Sequence, residues 1–142
     1  MMKISVVFAL FAVMLLGSCV TQQSSNAPGA GTISQERYDS STTGSLVATL
    51  GDGFFNCDRA VRSATRGFHL IELSRINRQS TITYEYKDIN DNRISVVLTA
   101  VNISASRIDI KVGKTGNRNL SKNLLNKIGD ELDSLAAARD QQ

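Results

Sequence analysis

The sequence has few of the residues from which catalytic and metal sites are usually built. It contains one histidine, His69, and two cysteines, Cys19 and Cys57, in 142 residues. A zinc site takes three or four His, Cys or carboxylate ligands, and a histidine base must reach the group that it deprotonates. No cluster of such residues and no recognisable nucleophile motif occurs along the chain. We therefore predict that the protein is not an enzyme and holds no metal or other cofactor.

A long apolar run is also missing. A transmembrane helix needs about 20 apolar residues, whereas the longest run here covers residues 6–16. With Lys3 before it, this run has the length and charge of a secretory signal. It ends in "LGSC", in which Ser18 precedes Cys19, and this order resembles the lipobox of bacterial lipoproteins. The alternative is an ordinary signal peptide followed by a chance cysteine.

The lipobox resemblance predicts both processing and location. Residues 1–18 are then a signal peptide that is cleaved between Ser18 and Cys19, and Cys19 carries the acyl chains of a membrane anchor. Because Val20 stands where an Asp would resemble the inner-membrane retention signal, we expect the outer membrane, with the protein facing the periplasm or the cell surface. The expected partners are the membrane and another envelope protein, and nucleic acid is not expected.

Composition divides the rest of the chain. Residues 19–43 are rich in Ser, Thr, Gln and Gly and include the one proline, Pro28. Such a segment has too little apolar surface to offset the entropy lost on ordering, so we predict a flexible polar linker after the lipidated cysteine. Residues 44–138 form the predicted globular domain, and residues 139–142 form a tail.

Cys57 has no predicted intramolecular disulfide partner, because acylation would occupy the sulfur of Cys19. A free cysteine is often simply a small buried apolar residue. The alternative is an exposed thiol that pairs with another molecule or takes part in redox chemistry.

Periodicity predicts the elements of the domain. A strand at 45–50 precedes a helix at 52–66, which has Asp52 as its N-cap and Gly67 as the left-handed residue at its end. A second strand covers 68–76. Strict alternation then predicts strands around 81–87, 94–101 and 107–112, and a leucine-rich stripe predicts a helix at 119–138. Together these indicate an α+β fold of two layers, an antiparallel sheet of about five strands with both helices on one face, in the order β-α-β-β-β-β-α.

Several segments of the domain resemble a small family of bacterial lipoproteins whose domain has no assigned function. They are "RGF" (66–68), "DIND" (88–91), "RIDIKVGKTGN" (107–117) and "LSKNLLNKI" (120–128). The resemblance implies an α+β domain on a lipid anchor and, since some members are linked to virulence, a role in virulence. It implies no catalytic residues, and Asn117 stands where an acidic residue is frequent. The positions that match the family pattern are Ile110, Val112, Gly113, Gly116, Leu120, Ser121 and Leu124.

Two short motifs look functional but lack essential residues. "VGKTG" at 112–116 has Ile108 where a phosphate-binding loop needs its first glycine. "DINDNR" at 88–93 has Arg93 in place of the central glycine of a calcium loop and Thr99 in place of its closing glutamate. We therefore interpret both segments as turns.

Two hypotheses of function remain. The first is a non-catalytic binding or structural module of the envelope, whose partner surface would be the polar side of the sheet. The same residues could instead stand there for strand propensity alone. The members of this surface are Thr81, Thr83, Ser95, Val97, Thr99 and Val101.

The second hypothesis is a carrier or sensor of a small apolar ligand, held in a cleft between the helices and the sheet. Aromatic side chains near the mouth would line the cleft, although such residues are more often packed core. A cavity well above about 300 Å³ would favour this hypothesis. The aromatic residues concerned are Phe54, Phe55, Phe68, Tyr84 and Tyr86.

Arginines are frequent in and after the first predicted helix. They could favour anionic lipid headgroups or form an ordinary solvated surface. They are Arg59, Arg62, Arg66, Arg75 and Arg78.

Overall fold

The structure is a computed structural model that describes residues 33–39 and 44–141. The predicted signal peptide, the cleavage site at Ser18 and Cys19, and most of the predicted linker lie outside these residues. The described residues form six strands and two helices. They are β1 (Ile33–Asp39), β2 (Ser45–Leu50), α1 (Phe54–Gly67), β3 (Ile71–Arg78), β4 (Thr81–Lys87), β5 (Arg93–Asn102), β6 (Ala105–Val112) and α2 (Arg118–Arg139).

The strands form one antiparallel sheet in the order β1-β2-β6-β5-β4-β3. The predicted α+β class and the order β-α-β-β-β-β-α, counted from β2, are confirmed. The sheet has one strand more than expected, because β1 pairs with the free side of β2. The sequence did not predict this strand because the segment is mostly polar. Two contacts hold it in place: Ile33 packs against the core, and Lys122 Nζ lies 3.1 Å from the Glu36 carboxylate.

The core lies between the sheet and the two helices. Alternate side chains of β2, β4, β5 and β6 point toward the helices and are buried, as the period of two predicts. Each large apolar side chain removed from water in this way contributes about 1.5–3 kcal/mol. The helices supply Cys57, Ala60, Val61 and Ala64 from α1, and Leu124, Leu125, Ile128 and Leu132 from α2.

Helix α1 ends one residue later than the sequence indicates, and its left-handed residue lies two positions later. Gly67 is still helical, and the left-handed residue is His69, with φ of 54°. Leu70 N donates to Thr65 O, and His69 N donates to Arg66 O. This is the Schellman arrangement, in which the residue after the left-handed one packs on the helix. The prediction for Gly67 is therefore wrong, because histidine tolerates the left-handed region better than most side chains and takes that position.

Asp52 does not act as the N-cap residue of α1, which is Gly53. Its buried carboxylate instead accepts hydrogen bonds from Gly53 N at 2.7 Å and Asn56 Nδ2 at 2.9 Å. Arg139 Nη2 donates to the same carboxylate at 2.9 Å. Arg139 is the last residue of helix α2, although the sequence predicts that it belongs to the tail. Asp52 joins the start of one helix to the end of the other.

The structure of the loop between β6 and α2 shows why "VGKTG" needs a glycine at position 116. Gly44 and Gly116 have φ of 63° and 85°. Their backbones touch so closely that a Cβ on Gly116 would overlap Gly44 O. Asn117 then caps α2 by accepting a hydrogen bond from Leu120 N at 3.1 Å. Because Asn is a good N-cap residue, Asn117 serves the start of this helix.

The sheet has two ends, at which all its connections lie. We call one the entry end, because Ile33, the first described residue, pairs there with Leu50. It also contains residues 51–55 and the turn at 102–104. The other, the far end, contains Gly44 and the loops at 88–92 and 113–117.

Candidate functional site

The face of the sheet that the helices leave uncovered carries five of the six residues predicted as a partner surface. Thr83 pairs with Val97, Thr81 pairs with Thr99, and Ser95 lies two positions from Val97 on the same face. All five are half-buried. We call them the open face. Val101, the sixth residue, follows an irregularity in the β5–β6 pairing and is 58 % exposed at the entry end.

Charged residues border the open face along β6. The register places Arg107 beside Thr99, Asp109 beside Val97 and Lys111 beside Ser95. Among the described side chains, no ion pair involves any of these three charges. The open face therefore has a neutral centre and a border of charges that remain available to a partner.

A polar hollow of about 540 Å³ lies on this side of the sheet toward the far end. Its lining includes Glu85, Ser95 and Lys111, together with Arg93 and Lys114. A cavity for an apolar ligand is lined mainly by hydrophobic and aromatic side chains. This hollow instead offers charges of both signs and fits a polar partner.

Strand β3 forms an uncovered edge of the sheet. All eight of its residues are exposed, and Ile71, Leu73 and Ile76 are 53 %, 46 % and 51 % exposed. Ile76 pairs with Thr83, so the edge continues into the open face. An edge strand of this kind presents unpaired backbone groups and apolar side chains to other chains. Charged neighbours on the same strand, such as Arg78, limit indiscriminate pairing.

The five aromatic residues predicted to line a ligand cleft do not lie together. Tyr84 and Tyr86 are core residues with 0 % and 2 % exposure, and their rings stack at 5.8 Å. Phe55 is 81 % exposed on the outer side of α1, while Phe54 is partly buried against the core. Phe68 lines an apolar pocket of only about 110 Å³ at the far end, with none of the other four. The structure therefore does not bring the five together, since helix packing fills the space between helices and sheet where Tyr84 and Tyr86 lie.

Tyr84 has a structural role that the sequence does not reveal. Its hydroxyl donates to the Asp58 carboxylate, which also accepts from Arg75 Nη2 at 3.1 Å. The Arg75 guanidinium lies 5.6 Å from the centre of the Tyr84 ring. Burial, and then the hydrogen bond to Asp58, raise the pKa of Tyr84 well above its usual value. The cluster ties α1 to β4 and to the edge strand β3.

Two other interior groups have raised pKa values. Burial raises the pKa of the Cys57 thiol to about 11, so the thiolate is scarce at neutral pH. The sequence-based expectation that Cys57 is buried is confirmed. Burial also raises the pKa of Tyr86, whose hydroxyl faces Thr65 but has no hydrogen bond to any described residue. Neither group is in the ionised form that nucleophilic chemistry uses.

The remaining residues with reactive side chains stabilise turns or have no other reactive group beside them in the described part of the chain. Asp88 accepts from Asn90 N at 2.7 Å and from Asn92 N at 2.9 Å, which makes "DINDN" a turn. His69 is exposed at the end of α1. In the part of the chain that the structure describes, no three His, Cys, Asp or Glu residues are grouped so as to hold a metal ion. No helix within residues 33–39 and 44–141 is long and apolar enough to cross a membrane.

The entry end exposes apolar residues whose grouping is not evident from the sequence. Ile103, between Asn102 and Ser104, is 97 % exposed, and Phe55 is 81 % exposed at the start of α1. The backbone of Ile103 lies against Gly53, two residues before Phe55. The sequence does contain a sign of this exposed residue, because Ile103 lies in a two-residue turn, where an isoleucine is rarely needed. Phe55 was instead assigned to a cleft on account of its aromatic ring alone.

Comparison with known proteins identifies a family but no function. No protein with a curated description matches the sequence. A family model described as "Protein of unknown function (DUF3568)" matches residues 1–131, which is most of the chain. The chain therefore belongs to this family of proteins of unknown function.

Proposed function

We propose that the protein is a bacterial envelope lipoprotein, anchored by acylated Cys19, whose domain binds another envelope protein without catalysis. The leader supports the anchor, because residues 6–16 are too short to span a bilayer and end at the lipobox-like "LGSC". Burial of Cys57 adds support, since it leaves Cys19 without an accessible thiol of the domain with which to pair. An outer-membrane location follows from Val20 and belongs to the same proposal.

The observation that carries the binding role is the row of uncharged side chains that joins edge strand β3 to the open face. Ile76, Thr83 and Val97 stand side by side across three strands. The half-exposed Ile76 ends this row at an edge with free backbone groups. Addition of a partner strand at such an edge supplies backbone hydrogen bonds, and the neighbouring side chains supply specificity.

Site-specific photo-cross-linking in intact cells tests this role. A photoreactive amino acid replaces Ile76 or Val97, and a matched control replaces Ser134, which is exposed on α2. We expect a reproducible adduct of one size from both test positions and none from position 134. A second substitution, Ile76→Glu, should remove the adduct formed at position 97. Absence of any adduct from positions 76 and 97, in cells in which the protein is folded and anchored, would contradict the proposed surface.

A further inference from the structure

Three exposed apolar side chains cluster at the entry end. Phe55, Val101 and Ile103 are 81 %, 58 % and 97 % exposed. The two backbone segments that carry them meet, because a Cβ on Gly53, two residues before Phe55, would be only 2.9 Å from Ile103 O. We call these three residues the apolar tip. Single exposed apolar residues are ordinary, whereas a cluster of them suggests a contact with something less polar than water.

The turn that carries Ile103 does not require an apolar side chain. Asn102 Oδ1 accepts a hydrogen bond from Ser104 N at 2.8 Å, and this bond holds the turn. The side chain of Ile103 is almost entirely in water and adds nothing to the core. Its presence is therefore not explained by folding.

A row of arginines begins one helical turn from the apolar tip. Arg59, Arg62 and Arg66 follow Phe55 at spacings of four, three and four residues, so all four lie on one side of α1. This side is opposite the buried Cys57 and Ala64. We call the three the arginine stripe. All are exposed, and no salt bridge to another described side chain neutralises them.

The chain enters the domain beside the apolar tip. Ile33 pairs with Leu50, which precedes α1 by only a few residues. About fourteen residues separate Cys19 from Ile33, so the attachment point lies at most about 50 Å from the anchor. The far end is about 25 Å further away along the strands. The entry end is therefore the part of the domain that a lipid anchor on Cys19 would hold nearest to a bilayer.

We infer that the apolar tip and the arginine stripe form a docking surface for the anionic bilayer that carries the anchor. This inference rests on the proposed acylation of Cys19. Phe and Ile side chains enter the boundary between headgroups and acyl chains, and arginines beside them bind lipid phosphates. The positive stripe complements the negative charge of such a surface. Docking there leaves the open face and strand β3 turned toward other proteins.

Two labelled variants of the full, cell-processed protein test the inference. Ile103→Cys places a fluorophore at the apolar tip, and Ile89→Cys places it at the far end, where Ile89 is 86 % exposed. Cys57 is buried, so we expect the folded protein to take up the label at the introduced cysteine and not at Cys57. The labelled proteins are inserted by their anchors into vesicles of phosphatidylcholine with or without phosphatidylglycerol. Nitroxide-bearing lipids then quench a fluorophore that touches the bilayer.

We expect strong quenching at position 103 in vesicles that contain phosphatidylglycerol, and little at position 89. Arg59→Gln with Arg62→Gln should lower the ratio of docked to undocked domain about 30-fold at low salt, because each basic residue contributes about a fivefold preference. The matched pair Arg93→Gln and Lys114→Gln removes the same charge elsewhere and should leave the ratio unchanged. Added salt should weaken docking of the original protein.

Equal quenching at positions 103 and 89, or indifference to the arginine substitutions, would overturn the inference. A fluorophore at position 103 that becomes shielded without vesicles as protein concentration rises would also overturn it, and would indicate contact with a second copy. Failure of the proposed function is separately visible. If Cys19 is not acylated, its thiol takes up a second fluorophore, and the labelling ratio reports this.

Discussion

The two ends of the sheet each expose an isoleucine at a hairpin turn, yet their surroundings differ. At the far end, Ile89 is 86 % exposed beside an ion pair between Lys87 and Asp91, whose charged atoms lie 2.8 Å apart. At the entry end, Ile103 is 97 % exposed, and its backbone lies against Gly53, two residues before the exposed Phe55. Exposure alone therefore does not mark a contact surface. A contact surface is marked by the residues that surround the exposed side chain and by the place where the chain joins the domain.

The ends also differ in how they are held together. Close backbone packing between Gly44 and Gly116 and the hydrogen bonds of the Asp88 turn fix the far end. The entry end depends on a buried carboxylate, Asp52, which receives Arg139 from the end of α2. Substitutions at the two ends should therefore affect stability by different mechanisms and to different extents.

The largest expected effect is at the far end. Gly116→Ala should destabilise the domain by at least about 3 kcal/mol, because the new Cβ overlaps Gly44 O and φ is positive. Gly113→Ala is the control, since Gly113 also has positive φ but opens to free space. It should cost only about 1 kcal/mol. Urea unfolding measures both, and equal losses would contradict the close packing of the two loops.

At the entry end, Asp52→Ala should cost about 2 kcal/mol, because it removes the acceptor of Gly53 N, Asn56 and Arg139 together. Arg139→Gln should cost about 1 kcal/mol or less, since the arginine is half-exposed. Thermal unfolding of the two variants provides the comparison. A greater loss from Arg139→Gln than from Asp52→Ala would show that the carboxylate does not organise this end.

The far end should respond to acid through Asp88. The side-chain amide of Asn92, and then the backbone N–H groups of Asn92 and Asn90, lower the pKa of Asp88 below 3.8. A carboxylate whose pKa is lowered on folding stabilises the fold above its usual pKa, and this stabilisation is lost as pH falls through the folded value. Asp88→Asn should remove that part of the acid sensitivity. An NMR titration that gives Asp88 a pKa at or above 3.8 would contradict the turn.

The smallest expected effect concerns the two isoleucines. Ile103→Ser and Ile89→Ser should each change the free energy of unfolding by less than about 0.5 kcal/mol, because neither side chain is buried. Urea unfolding checks this. A marked loss for Ile103→Ser would show that the apolar tip supports the fold and is not a free surface.

Much of the fold could be predicted because its strands alternate strictly. Each of β4, β5 and β6 has one buried and one uncovered face, so the period of two was clear and the open face followed from it. Strand β1 was missed because Ile33 is followed by polar residues, and pairing with β2 outweighs local composition. The end of α1 was misplaced because the sequence favours Gly67, whereas tertiary packing of Leu70 moves the left-handed residue to His69.

The candidate surfaces were harder to predict than the fold. The aromatic residues suggested a cleft, but their rings were placed by helix packing, which buried Tyr84 and Tyr86 and left Phe55 in water. The arginine stripe was visible as scattered arginines. Its meaning depends on the lack of ion-pair partners among the described side chains, which only the three-dimensional arrangement shows.

Mass spectrometry of the N-terminal peptide, released from protein purified out of the membrane fraction, tests the central claim most directly. We expect a peptide that begins at Cys19 and carries a diacylglyceryl thioether and an acylated amine. A peptide that keeps the leader, begins at another residue or lacks fatty acid would contradict the anchor, and with it the proposed location at the membrane.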